Sequence, residues 1–317
     1  TRAADTFTYY VRTDGSDTND GLSNSAEGAF KTITKAAEIV NVGDTVLVQA
    51  GTYDEQVTLS KSGTESSRIT FEGVGAVIIE GGTRVNAVVI SGAYNTFKNI
   101  EVQHGQTGIS VQNANVTIDG CHIHNTSSSY YGAISGDSAT IVTNCEINNN
   151  VRVAFFEKWA TISNCNIHDN TGGLSYRQLS SSPRIEIKNN IFTDNQWTFS
   201  IYSGDQNKDV LFEGNEFNGG GGFEFSNGKI TLIDNSFHDI NGPVINLAYY
   251  GTPSATDAFI DHNLFDSCNP VLAMYNGITT MFSDDNVFTS DTVISNWQSP
   301  EAAAGSWTSA EVGTLPD

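Results

Sequence analysis

The chain has 317 residues, 38% of them hydrophobic and 10% aromatic, and it carries 15 Lys plus Arg against 36 Asp plus Glu for a formal net charge of -21. That charge excludes the basic footprint of a general nucleic-acid binder and disfavours anionic membrane surfaces, while the apolar content is enough to bury a core. No stretch approaches the roughly 18 apolar residues of a membrane span; no signal-peptide pattern opens the chain, so a mature or trimmed protein is expected, and the Asn, Ser, Thr and Gly content with strong acidity points to a secreted or cell-surface location.

In chain order, the first feature is the loop DGSDTNDG, 14–21, whose acids suit either a calcium loop or turns and caps, without the ligand spacing of an EF-hand. FKTITKAAEIV, 30–40, has helical spacing with Phe30, Ile33, Ala37 and Val40 on one side, and GDTVLVQAG after it reads as a strand. A helix there would cap the open end of a stack of strands, which otherwise templates aggregation.

From Cys121 onward the chain repeats. TIDGCHI, IVTNCEI, TISNCNI, EIKNNIF, LFEGNEF, TLIDNSF, FIDHNLF and FSDDNVF share a fifth position, occupied by Cys121, Cys145, Cys165, Asn190, Asn215, Asn235, Asn263 and Asn286. Two residues later always stands Ile or Phe, and the steps average about 23.6 residues. Short alternating strands at that period predict an all-β protein, a single right-handed parallel β-helix of about eleven coils over residues 1–317, with a cap at about 1–45 and an irregular segment at about 297–317. Coils stack at strand spacing, roughly 4.8 Å. The Ile/Phe row, including Phe192, Phe217, Phe237 and Phe265, therefore fills the core, and the Asn row passes amide hydrogen bonds from turn to turn. Cys121, Cys145 and Cys165 in one row fit buried stacked thiols, with one disulfide as the alternative, and Cys268 falls outside that row. His122 and His124 share a strand face; a metal pair there has no evident third ligand, which leaves solvated turn histidines as the simpler expectation.

A second strand precedes each repeat: GISV at 108–111, AIS at 133–135, VAFFEK at 153–158, GLSYR at 173–177, FSIY at 199–202, GFEF at 222–225, INL at 245–247 and VLAM at 271–274. With Ile109, Ile134, Phe156, Tyr176, Ile201, Phe225 and Leu247 inward, the outward row reads Gln112, Ser135, Glu157, Arg177, Tyr202 and Ser226, subject to a one-residue slip. Arg152, Lys158, Arg177, Arg184 and Lys188 fall within 37 residues that hold only Glu157, Asp169 and Glu186 as acids, a local net charge of +2 in an acidic chain. Ordinary surface ion pairs are the simple explanation; a site for an anionic ligand is the functional one.

The segment from Thr8, TYYVRTDGSDTNDGLSNSAEGAFKTITKAAEIVNVGDTVLVQAGTYDEQVTL, resembles the start of secreted right-handed β-helix proteins that act on polysaccharides. Within that set, EKWATISNCNIHDNTGGLSYR, 157–177, is similar to the active region of the chondroitinase B and alginate lyase type. The resemblance implies a polysaccharide lyase with Lys158 as base and Arg177 as acid. Gln178 and Leu179 stand where the family has His-Gly, and Val151 and Val153 stand where it has calcium-ligating acids, so calcium is not expected at the family position and no cofactor is assigned. On chemical grounds Arg177 serves better as an electrostatic clamp than as an acid. Tyr176 or Tyr202 could take a proton-transfer role, and Arg152, Glu157, Arg184, Glu224 and Tyr249 are the substrate-binding candidates on an acidic polysaccharide. Two other functions compete: a glycoside hydrolase, for which Glu157 and Glu224 are the candidate carboxylates but lie about three coils apart, roughly 14 Å against the 5–9.5 Å required, and a non-catalytic carbohydrate-binding module. The loops at Tyr130/Tyr131 and Tyr249/Tyr250 are further places for a sugar-stacking face.

Overall fold

A computed structural model of the chain describes residues 6–136, 139–157, 159–176, 184–196, 199–201, 209–225, 228–247, 256–268, 272–274, 279–282 and 285–289. The fold is an all-β right-handed parallel β-solenoid of about eight turns with one helix. The spacing of the repeat led to an expectation of about eleven. The repeat instead begins late: Thr45–Tyr53 and Ile69–Glu80 run on as long single strands where later turns break into two short ones. The chain divides into two compact units, residues 1–155 and 156–317. Among the described residues no helix is long and apolar enough to cross a membrane.

In the first unit, Thr8–Val11 pairs in parallel with Thr45–Tyr53, which pairs with Ile69–Glu80. Later turns alternate two short strands, as in Val116–Asp119 followed by His122–His124, each in register with its counterpart one turn away. A third side is built from Val57–Leu59, Asn86–Ile90, Thr107–Val111 and Ile134–Gly136. The helix is Ile33–Ile39, shorter than the periodic stretch. Phe30 is instead held in a parallel bridge to Val11, and Asp17 accepts from the amides of Lys31 and Thr32 at 2.9 Å each. Thr32 caps the helix by accepting from Lys35 N at 3.1 Å, and Glu55 accepts from the amides of Ile33 and Thr34. Phe30, Ile33, Ala37 and Val40 are all buried.

The second unit repeats the plan. Its third side comprises Ala154–Phe156, whose last residue opens the unit, then Leu174–Tyr176, Phe199–Ile201, Gly221–Phe225, Asn241–Leu247 and Leu272–Met274. Phe192, Phe217, Phe237, Phe265 and Phe288 form a continuous stack with centroids 4.8, 4.8, 5.0 and 5.1 Å apart and planes within 12°, the row that the repeat placed in the core.

Each turn bends at corners that follow one rule. The residue before the Cys/Asn row is left-handed, as at Asn144, Asn164, Asn189 and Asp234, with Gly120 and Gly214 taking the place in other turns. Gly, Asn and Asp tolerate that conformation at low cost. A second corner five residues on uses Asn125, Asn149, Asp169, Asp194 and Asp239 in the same way. The residues after the corners are buried and polar: Asn190, Asn215, Asn235 and Asn263 are at most 2% exposed. The side-chain oxygens of Asn215, Asn235, Asn263 and Asn286 each accept from the backbone and side-chain amides of the preceding Asn at 2.9–3.1 Å, that of Asn190 accepts from Cys165 N at 2.9 Å, and each Nδ2 donates to a carbonyl one turn back, such as Asn215 to Ile187 at 2.8 Å. The cysteines occupy the same slot as weaker donors: Cys145 Sγ donates to Ile118 O at 3.7 Å, the carbonyl equivalent to the one an Asn addresses. All four cysteines are free, buried thiols, and burial pushes Cys268 up to about 11. Cys268 occupies the second corner row, where Asn170 and Asn195 also stack.

Phe217→Ala removes a ring from the middle of the stack and should cost about 3–5 kcal/mol in equilibrium unfolding. A change below about 1 kcal/mol would mean that the stack does not carry the core.

Candidate functional site

Strand register sets which residues are level with one another on the third side. In the first unit Ser135 is level with Ser110, and in the second Ser175, Ser200, Glu224 and Asn246 are level. Ser135 therefore belongs to the rung of Ser110, two residues before Gln112, and not to the row that the sequence grouped with Gln112. The buried residues likewise fall in register: Ile109 with Ile134, and, in the second unit, Leu174 with Phe199 and Phe223, while Tyr176 stands two positions on, level with the backbone of Ile201 and Phe225.

The connection before Ile134–Gly136 carries the most exposed aromatic group of the first unit. Ser127 N and Ser128 N donate to Gly105 O and Gln106 O one turn back, while Ala133 N donates to Arg152 O one turn on. Gly132 makes this fit: its φ is 78°, and a Cβ there would sit 2.7 Å from Arg152 O. Ser128 Oγ accepts from the amides of Tyr130 and Tyr131. The two rings, 50% and 46% exposed, meet edge to face at 4.7 Å. Tyr130 lies 5.1 Å from the buried ring of Phe155 at 31°, and Tyr131 stands edge-on to it at 6.2 Å. Arg152, half-buried, runs past Gly132 on the next turn through its backbone carbonyl. Paired aromatic faces with hydroxyl tips suit a ring that is apolar on one face and polar at its rim, as a sugar is.

The sequence-derived site residues are distributed differently from the expectation. Lys158, Arg177, Tyr202 and Tyr249 lie outside the described residues. Glu157 is half-exposed. Tyr176 is fully buried, and its hydroxyl has no partner among the described residues. Burial and the nearby Asp209 carboxylate push it up to about 12. The alternation that turns it into the core removes it as a proton-transfer group for a surface-bound polymer. Arg184 pairs with Glu186 at 3.2 Å, and Lys188 with Glu186 and Glu213 at 3.2 and 3.3 Å, on another side of the coil. These two cations therefore do not join the third-side face, and ordinary ion pairing accounts for them. Glu224 is level with Ser200 and Ser175, three strands along the third side from the one that leads to Glu157, a separation of about 14 Å at strand spacing.

The acids of loop 14–21 serve the local chain. Asp14 pairs with Arg12 at 2.8 Å, Asp17 caps Lys31 and Thr32, and Asp20 accepts from Leu22 N at 3.0 Å. His122 and His124, in contrast, gain a third neighbour that the sequence did not reveal: Glu101, one turn back, whose carboxylate oxygen is 3.0 Å from His124 Nε2. The visible repeat starts at Cys121, so the register of Glu101 could not be read from it.

The profile of the Pel9A-like, right-handed beta helix region matches residues 9–180, more than half of the chain, and the chain belongs to that family. A curated relative, the uncharacterized protein YwoF of Bacillus subtilis (strain 168), is 38% identical over 80 residues, 25% of this chain and only 16% of the relative's own length. Solved structures with the same fold include a GH136 lacto-N-biosidase from Eubacterium ramulus (TM-score 0.63, 14% identity, 91% of this chain and 68% of that one). A rhamnogalacturonan lyase (0.62, 15%, 92% and 87%) and the pectate lyase Pel9A (0.60, 16%, 99% and 88%) share it as well. Polysaccharide-active proteins of more than one reaction class thus use this scaffold, and at these identities the likeness is one of fold.

Tyr130→Ala and Tyr131→Ala should each weaken retention of an acidic polysaccharide in affinity electrophoresis by about tenfold, roughly 1.4 kcal/mol, while stability stays within about 0.5 kcal/mol because the rings are half-exposed. Unchanged retention in the double variant would remove the platform from the binding surface.

Proposed function

We propose that the protein is a lyase that cleaves a uronate-containing acidic polysaccharide by β-elimination. The observation that carries this is membership of the Pel9A-like family over residues 9–180. Arg184 and Lys188 are paired with Glu186 and Glu213 on another side of the coil, so the reading rests on Lys158 and Arg177, the pair that the resemblance assigns.

In this reading a lysine amine, Lys158, takes the C5 proton of the uronate. The electron pair left at C5 forms the C4–C5 double bond, the C4–O bond breaks, and the leaving oxygen takes a proton. Arg177 holds the carboxylate and steadies the charge that develops on it, the role an always-charged guanidinium fills best. Tyr202 is the candidate donor to the leaving oxygen. A hydrolase built on Glu157 and Glu224 is disfavoured, since about three rungs separate them where 5–9.5 Å is needed. A binding module without turnover is favoured only by the Tyr130/Tyr131 platform, which needs no catalytic group.

Incubation with a panel of uronate polymers distinguishes the three. Ultraviolet absorbance of the unsaturated product supports the lyase, new reducing ends without it support a hydrolase, and retention without either supports a binding module. Lys158→Ala should lower turnover by about 10²–10⁴-fold with the fold intact. Arg177→Ala should lower kcat and raise KM together, and added salt should weaken binding. Full activity in both variants would remove the reaction from these residues.

A further inference from the structure

We propose that Glu101, His122 and His124 form a binding site for a first-row divalent transition ion of the zinc type, a site separate from the polysaccharide chemistry above. His122 and His124 are alternate residues of the strand His122–His124, so their rings project from the same face; the rings stack at 4.2 Å with 22° between planes. Parallel register puts Glu101 beside His122, and Gln103 beside His124, on the strand one turn back. The Glu101 carboxylate therefore reaches diagonally to His124, with Oε1 3.0 Å from Nε2. One donor atom from each of the three residues lies within 4.8 Å of the other two. Tetrahedral zinc with bonds of about 2.0–2.2 Å places its ligand atoms roughly 3.3–3.6 Å apart. One pair is already near that distance, and the remaining contraction of about 1 Å is within reach of side-chain rotation at a partly exposed surface.

Two imidazoles and one carboxylate are the ligand set that zinc takes when it keeps a fourth position open to water. The support around them suits the role. His124 Nδ1 is 2.9 Å from the Asn125 side-chain amide. Asn125 is a left-handed corner residue with φ 58°, so its position is fixed by the turn itself. With the amide turned to present its oxygen, it accepts from Nδ1–H and leaves Nε2 free for the metal, the outer partner that a metal-bound histidine usually has. His122 Nε2 lies 3.4 Å from Asn148 Oδ1 on the following turn. His124 is only 12% exposed and Glu101 31%, so the ion would be partly shielded. Because Glu101 and the histidines sit on adjacent turns, a bound ion would cross-link two coils.

Without metal, the same atoms make a His124–Glu101 hydrogen bond with His122 stacked on its neighbour, and metal titration of the untagged, metal-free full chain separates the two states. Co²⁺ should bind at one equivalent with the intense visible absorption of a four-coordinate site, Zn²⁺ should displace it, and Zn²⁺ should raise the thermal midpoint. Glu101→Gln, His122→Ala and His124→Ala should each weaken Co²⁺ binding by at least about 100-fold, and Asn125→Ala by about 10–100-fold. His104→Ala, outside the cluster, should leave it unchanged. Each variant is checked for an unchanged far-ultraviolet spectrum without metal, which separates lost ligation from lost folding. Absence of Co²⁺ binding would overturn the proposal, as would binding that persists in the His122→Ala, His124→Ala double variant or is abolished instead by His262→Ala, at the more exposed group of Asp261, His262 and Asp285.

Discussion

The structure depends on a buried hydrogen bond repeated once per turn. A chain that stacks parallel strands satisfies its amides within the sheets, but each sharp corner leaves backbone groups facing the interior, where an unpaired group costs about 1–3 kcal/mol. The Asn row answers this at Asn190, Asn215, Asn235, Asn263 and Asn286: the Asn190 oxygen takes the amide of Cys165, each later oxygen takes two donors from the turn before, and each side-chain amide reaches a carbonyl one turn back. The left-handed residue just ahead of it makes the corner tight enough for the side chain to enter. Register follows, because a slipped turn would break every link at once. With register fixed, Phe192, Phe217, Phe237, Phe265 and Phe288 have no choice but to stack.

The same constraint explains where chemistry is located. The two corners are of fixed length, so insertions collect in the connections that lead to the third side. The Tyr130/Tyr131 loop is one of these, pinned at both ends by backbone bonds to the turns on either side. Strand faces offer something different: side chains at fixed spacing, repeated from turn to turn. Glu101, His122 and His124 converge because alternation and parallel register put them there, with no loop involved.

Much of this was legible in the sequence because a stacked fold turns a position into a row. The Cys/Asn row, the Phe stack and the helix that starts the chain's core all follow from spacing and alternation. Tyr176 was already inward by alternation, and its burial follows the same rule. What failed to appear needed register across turns of unequal length. Ser135 was grouped with Gln112 because strand ends, unlike corners, carry no marker. Cys268 looked misplaced because the second corner row, Asn150, Asn170 and Asn195, was not separated from the first. Glu101 was missed because it precedes the visible repeat. The pairing of Arg184 and Lys188 with Glu186 and Glu213 was invisible because charge counted along the chain does not record which residues share a side of the coil.

The central claim is that the buried Asn ladder holds the turns in register. Equilibrium urea unfolding of Asn215→Ala tests it most directly, with Asn218→Ala, a nearby residue outside the ladder whose side-chain amide donates to Glu216, as the control. Loss of Asn215 strands the Asn190 amides and the Ile187 carbonyl in the interior, so a destabilisation of at least about 3–5 kcal/mol is predicted, against about 0.5 kcal/mol or less for the control. An Asn215→Ala protein as stable as the control would contradict the account.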